Sequence, residues 1–251
     1  LTDVPAALVT GAGKRIGRAI ALTLAKAGYD IAVHYRGSED AARAVADEVR
    51  ALGRRSEIVR ADLSVEAEVR DLVPQAARAL GRPLTLLVNN ASVFEDDRVG
   101  ALSRDSWDRH IETNLRAPVV LAEAFAAQAP DGSAVVNLLD QRVLKPDPRF
   151  FSYSLSRAGL WWATQTLAQA LAPRIRVNGV GPGPTLPSIH QTEAEFAAEA
   201  AATPLARPGS PEAVAQAVLW LARADLVTGQ MIAVDGGQHL AWKTPDIQEP
   251  A

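Results

Sequence analysis

The sequence predicts a doubly wound α/β domain built on a seven-stranded parallel sheet. Seven short apolar runs alternate with helical stretches of roughly 12–20 residues, the rhythm of strands joined by helical crossovers. The 251 residues are 48% hydrophobic and 22% charged. A chain of that size buries on the order of 70–75% of the surface its unfolded form exposes, enough for one large core. No internal repeat and no long linker interrupts the alternation, so residues 1–251 read as a single domain.

The elements follow in order. The strand Ala6–Thr10 is an apolar run ending at a glycine-rich turn. The helix near Arg15–Ala27 carries Ile16, Ile20 and Leu24 at four-residue steps, a stripe that faces the sheet. Strand Asp30–His34 leads to a helix near Ser38–Leu52, and strand Ser56–Arg60 to one near Glu66–Leu80. The fourth strand, Leu84–Asn89, precedes a long helix near Ser106–Ala127; the fifth, Ala134–Leu138, precedes another near Ser154–Leu171. Strand Arg174–Gly179, a helix near Pro211–Ala222 and strand Met231–Val234 complete the pattern. The least regular stretch is Gly181–Arg207, rich in Pro and Ala. It reads either as a mobile segment over a ligand cleft or as an ordinary connection with a small helix at Glu193–Ala202.

Composition narrows the function. Cysteine is absent, which removes disulfides, thiolate nucleophiles and Cys-ligated metals. Histidines 34, 110, 190 and 239 show no metal-site spacing, so no metal is expected. A formal net charge of −3 with scattered Lys and Arg disfavours nucleic acid as a partner. No long uncharged apolar run predicts a membrane span, and Leu1–Ala7, with Asp3 and Pro5, lacks the order of a signal peptide. A cytoplasmic protein acting on a small molecule is the expectation.

Between the first strand and first helix runs Leu8-Val9-Thr10-Gly11-Ala12-Gly13-Lys14-Arg15-Ile16-Gly17. Glycines at such a junction let the chain turn tightly and bring a helix N-terminus against a pyrophosphate. The G-x-G-x-x-G fingerprint is not met, because residue 16 is Ile. The second strand ends His34-Tyr35-Arg36-Gly37-Ser38, with no acidic residue to receive ribose hydroxyls. Arg36, with Arg15 close by in the loop, predicts a cationic seat for a 2′-phosphate and therefore NADPH, and Lys14 and Ile16 of the loop are expected to meet the cofactor as well. The alternative is that Arg36 is solvated and Glu39 or Asp40 meets the ribose.

These residues resemble the short-chain dehydrogenase/reductase family, whose fold is Rossmann-type. Thr10, Gly11 and Gly17 meet its Thr-Gly-x-x-x-Gly-x-Gly pattern, with Arg15 at the middle glycine place. Asp62-Leu63, Asn89-Asn90-Ala91, Asn114, Tyr153 to Arg157, Pro182-Gly183 and Val234-Asp235-Gly236-Gly237 follow in the family's order. Arg15, the His-Tyr-Arg-Gly-Ser run, Asn89 to Phe94 and Asp140 resemble pteridine reductases and dihydromonapterin reductase-like proteins in particular. The resemblance implies that Asp62 and Leu63 meet the adenine, that Asn89, Ala91 and Ser92 line the adenosine ribose, and that Pro182, Gly183 and Thr185 lie along the nicotinamide. It implies support of the active centre by Asn114 and proton transfer by Tyr153.

A phenol with a pKa of about 10 is a poor acid–base group at neutral pH without a nearby cation. The family's lysine is here Arg157, one helical turn from Tyr153 and able to hold charge and a ribose hydroxyl, but unable to relay a proton. Asp140 stands where most of the family has serine; it reads as a proton donor to a ring nitrogen or as a cap for the segment after the fifth strand. Phe94 and Leu186 are candidate substrate contacts, with Pro187 and Ile189 shaping the cavity; Trp161 and Trp162 read as packing or interface residues. The expected activity is hydride transfer to a pterin-like heterocycle or small carbonyl compound. Two rivals are a 3-oxoacyl or sugar ketone reductase and a non-catalytic NADP(H)-binding sensor or scaffold. The resemblance also implies a homotetramer.

Overall fold

In the computed structural model, which describes residues 4–241, seven parallel strands form one sheet in the order β3-β2-β1-β4-β5-β6-β7. They are β1 (Ala6–Val9), β2 (Asp30–Tyr35), β3 (Ser56–Arg60), β4 (Leu86–Asn89), β5 (Ser133–Leu138), β6 (Ile175–Pro182) and β7 (Met231–Val234). The order reverses between β1 and β4, the switch point beyond which a doubly wound sheet opens a crevice at its carboxyl ends.

Helices cover both faces because inner strands without a polar side must be buried twice. On one face, Ile20 and Leu24 of α1 (Arg15–Lys26), Val45 and Val49 of α2 (Glu39–Ala51) and Val214, Val218 and Leu221 of α8 (Pro211–Arg223) form a core with Val9, Val33 and Val136. Ile16, the third member of the α1 stripe, is partly buried against it. On the other face, Leu72 and Leu80 of α3 (Glu66–Leu80) pack with Leu121, Phe125 and Leu87.

The long helix expected over Ser106–Ala127 runs as α4 (Arg104–Ile111), a π-helical turn (Glu112–Arg116) and α5 (Ala117–Ala126). Pro118 explains the break: it has no N–H for the carbonyl of Asn114 four residues back, and its ring crowds that carbonyl. The ladder widens there, with the Ala117 N–H reaching Glu112 O. The remaining helices are α6 (Phe151–Leu171), which starts three residues earlier than Ser154, and α7 (Glu193–Ala201). Thr192 and Glu195 close a reciprocal capping box on α7, so the irregular 181–207 stretch contains the small helix. β6 continues past Gly179 to Pro182, carrying the chain to the lip of the crevice.

Candidate active site

The glycine loop is shaped by close approach. Gly11 has φ +63°, and a Cβ at Gly17 would stand 2.3 Å from Gly11 O and 2.6 Å from Asn90 Nδ2. Two loops therefore meet at van der Waals distance, stitched by Thr10 Oγ1, which accepts the N–H groups of Asn90 and Ala91 at 2.9 Å each. Asn90 Nδ2 donates to Thr10 O at 2.8 Å.

His34 lies beneath this loop. Its Nδ1 accepts the Gly11 N–H at 3.0 Å and its Nε2 donates to Ala61 O at 3.1 Å, so both ring nitrogens serve the backbone. Burial pulls its pKa down to about 4, against smaller upward effects from the Ala61 carbonyl and Asp62. His34 is thus a neutral strut that holds the loop.

A cavity of ≈ 780 Å³ opens over the loop. Of the residues expected there, Gly11, Lys14, Arg15, Ile16 and Gly17 line it from the first turn, and His34, Tyr35, Arg36 and Ser38 from the second strand's end. Asp62, Leu63, Ala91 and Ser92 complete the expected set. Glu39 and Asp40 are not among its lining residues; Glu39 instead pairs with Arg43 at 2.5 Å. Burial raises the Asp62 carboxyl, but hydrogen bonds from Ser64 and the charges of Arg36 and Arg60 outweigh it and hold the group below its ordinary range.

Two expected positions differ. Asn89 does not line the cavity: it is buried, and its Nδ2 donates to Asn137 Oδ1 at 2.8 Å. Strand alternation turns Asn89 toward the interior and presents Asn90 to the crevice instead. Arg15 lines both cavities, but its Nη2 donates to Pro187 O at 3.0 Å and Leu186 O at 3.4 Å. Its backbone is left-handed, φ +52°, and its side chain reaches the 186–187 segment. Arg36 and Lys14 remain as cationic side chains lining the first cavity, while Arg15 is held by the carbonyls of Leu186 and Pro187.

A second cavity, ≈ 830 Å³, is lined by Asp140, Tyr153, Arg157, Phe94, Leu186, Pro182, Gly183 and Thr185, among others. Tyr153 OH donates to Asp140 Oδ2 at 2.8 Å. Burial first, then the Asp140 carboxyl, pushes the phenol up, and the opposing effect of Arg157 is smaller, so Tyr153 stays protonated. The Arg157 guanidinium carbon sits 5.3 Å from the Tyr153 ring centroid, while Nη1 donates to Leu138 O at 3.0 Å. Asp140 has the cap role: Oδ1 accepts the Arg142 N–H at 2.8 Å, closing a short 3₁₀ turn, while Oδ2 accepts the Tyr153 hydroxyl.

Asn114 does not line either cavity. Its Oδ1 accepts the Val93 N–H and its Nδ2 donates to Val93 O, each at 2.9 Å, and Nδ2 also reaches Ser156 Oγ at 3.2 Å. It is a positioning residue: the side chain imitates a neighbouring strand and fixes the loop that carries Phe94.

Several contributors had no motif to announce them. Arg142 pairs with Asp140 at 3.2 Å. Burial lowers its pKa, but Asp140, Tyr153, Asp147 and Glu199 together raise it further. Phe150, at φ +53°, stacks on Phe94 with centroids 4.2 Å apart, and Tyr153 stands edge-on to Phe94 at 4.7 Å. Asp97 takes the hydroxyls of Ser106 and Ser152; His110 Nδ1 lies 2.7 Å from Ser152 Oγ while its Nε2 accepts the Glu95 N–H. A proline four residues beyond Asn114 was the one readable signal, for the widened turn.

A family model described as enoyl-(acyl carrier protein) reductase matches residues 11–239. Among curated relatives, 3-oxoacyl-[acyl-carrier-protein] reductase FabG of Staphylococcus epidermidis is 34% identical over 241 residues, covering 93% of this chain and 98% of the relative. The chain belongs to the short-chain dehydrogenase/reductase family. Two solved members of that family add to the comparison. FolM alternative dihydrofolate reductase 1 from Brucella canis, complexed with NADP, is 48% identical with a TM-score of 0.93, each chain 97% covered. A short-chain dehydrogenase from Burkholderia cenocepacia, also in complex with NADP, is 34% identical with a TM-score of 0.89, over 94% of this chain and 98% of the other.

Proposed function

We propose that this short-chain family member is an NADPH-dependent reductase whose hydride acceptor is a flat, pterin-like heterocycle. The observation that carries the reading is the Asp140–Tyr153 hydrogen bond of 2.8 Å, set against the Phe94 ring inside the larger cavity. The residues of the smaller cavity fit the dinucleotide. Glycines at 11 and 17 clear the floor, Arg36 and Lys14 supply positive charge, and no acidic residue of the second strand's end stands in the way of a 2′-phosphate. The cofactor, when bound, supplies the hydride.

The chain's own residues handle the proton and the charge. The proton that Tyr153 donates to Asp140 passes to the acceptor atom once substrate is bound, its O–H bond breaking as the new bond to the acceptor forms. Arg157 and Arg142 flank the pair and stabilise the negative charge left when that proton departs. Phe94 offers a face on which a planar ring stacks. Asn114, through Val93, keeps that face in place.

Replacing Asp140 by Asn tests the assignment. Turnover of a dihydropterin is expected to fall by about 10²-fold or more with NADPH affinity nearly unchanged; equal turnover removes the role. A 3-oxoacyl reductase is the second reading, favoured by the FabG relative. A substrate screen separates the two, because that enzyme prefers a thioester over dihydrobiopterin. The assembly proposed is a homotetramer. Exposed Leu155 and Trp162 on α6, with Trp162 70% exposed, supply apolar surface for such contacts. Light scattering after size exclusion checks it, and a monomer at micromolar concentration counts against it.

A further inference from the structure

Gln141 directly follows Asp140, opens the 3₁₀ turn Gln141–Val143 and lines the larger cavity. The residue is 6% exposed, and its Oε1 is buried with no hydrogen-bond donor. A buried acceptor left unpaired is costly, and folded proteins keep few of them. It does not stand alone: Arg142 Nε and Arg157 Nε, on residues that line the same cavity, are also buried without partners. The residues lining this cavity thus include one unused acceptor and two unused donors, along with the Asp140–Tyr153 pair.

The chemistry of a primary carboxamide says what Gln141 can read. Its oxygen and its NH₂ lie side by side in one plane, and half a turn about the last bond exchanges them at constant shape. It therefore pairs in two points with an edge that sets an N–H next to a C=O or ring nitrogen, as Asn and Gln do with adenine. A flat heterocycle of lactam or aminopyrimidinone type has that edge. A 3-oxoacyl thioester offers acceptors alone near its reacting carbon. The stacked Phe94 and Phe150 rings favour the flat candidate on shape as well.

We propose that Gln141 determines substrate specificity, its carboxamide pairing with the donor–acceptor edge of the heterocycle while Asp140 and Tyr153 address the reducible atom. The proposal rests on the reductase reading for where the substrate lies. Its test is the selectivity of wild type and Gln141→Met, the latter near in volume but without the polar edge, for dihydrobiopterin against phenanthrenequinone, a flat diketone with no donor. Loss of a buried hydrogen bond predicts that the ratio of kcat/KM for the two substrates falls about tenfold to a hundredfold. A ratio changed by less than about twofold overturns the proposal. Calorimetric binding of dihydrobiopterin to the wild type and the variant, each loaded with NADP⁺, provides a second readout. A pterin methylated at the ring nitrogen of that edge is titrated into the wild type in parallel, so the test does not depend on the variant folding. Weaker binding of the methylated compound supports the proposal, and equal binding overturns it. If the wild type binds dihydrobiopterin without reducing it, the reductase reading falls and the binding ratios decide the role of Gln141. If it does neither, both fall.

Discussion

Asp97 caps helix α6 from 55 positions away, its Oδ1 accepting the Ser152 N–H at 2.9 Å. The Phe151 N–H donates to the same residue's carbonyl at 3.1 Å, so one loop residue satisfies two of the N–H groups that every helix start leaves open. Tyr153 is the next residue along, so the cap also sets where the phenol begins its reach.

Replacing Asp97 by Ala strands the Ser152 amide and two buried hydroxyls. Stability is expected to fall by about 3 kcal/mol, lowering Tm by roughly 6–12 °C. Burial raises the Asp97 carboxyl, but the Ser152 and Ser106 hydrogen bonds and neighbouring His110 outweigh it and keep the pKa below the usual range. Its contribution is therefore present above the ordinary carboxylate pKa and lost as pH falls through the depressed one. Thermal melts across the acid range check both points; an unchanged Tm in the Ala variant contradicts the cap.

His34 predicts a second acid-sensitive step at higher pH. Its folded pKa of about 4 lies below the ordinary 6.5, so the folded state binds the proton less well than the unfolded chain. The stability it contributes is complete above pH 6.5 and drains away toward pH 4, amounting to about 2 kcal/mol between pH 7.5 and 5. Urea unfolding at those two pH values measures it. His34→Gln is expected to flatten that part of the curve; the same slope in the variant rules His34 out as its source.

Arg15 combines backbone strain with a long contact. Arg15→Gly relieves the φ +52° conformation, which costs a non-glycine residue about 1 kcal/mol, yet removes the hold on Leu186 and Pro187. Global stability is expected to stay level or rise while amide exchange at 186–188 accelerates. Unaltered exchange there means that the clasp does not restrain the loop.

Tyr153→Phe removes the donated proton and leaves the ring packing intact. Turnover is expected to drop by about 10²- to 10⁴-fold with NADPH affinity preserved. Arg157→Lys separates the enzyme from the sensor reading. Comparable turnover in both proteins supports catalysis with the guanidinium, whereas activity that emerges only in the Lys variant supports the sensor.

The alternation of strands and helices was legible because parallel sheets bury nearly every strand residue, which leaves apolar runs that sequence displays plainly. The glycine loop stood out as a local motif, and Asp62, Asp140 and Tyr153 entered through the family resemblance; all of them line one of the two cavities. Directions were not legible. Asn89 and Asn90 differ only in which side of the sheet end they face, and Arg15, at a left-handed backbone position, reaches a loop 171 residues further along the chain. Asp97, His110, Arg142 and Phe150 stayed silent, since their meaning lies in partners distant in the chain or in a turn whose geometry no short pattern encodes.

The Pro118 fault in the long helix has a consequence for how this protein can change. Asn114 lies in the widened turn and grips both polar groups of Val93, so the loop that carries Phe94 is tied to this helix by a residue that itself lines neither cavity. Substitutions along the 92–96 loop can then alter the chemistry of the wall while its register is kept for them elsewhere. A regular helix restored by alanine at position 118 is expected to move Asn114, and with it the loop, with every residue of the loop itself untouched.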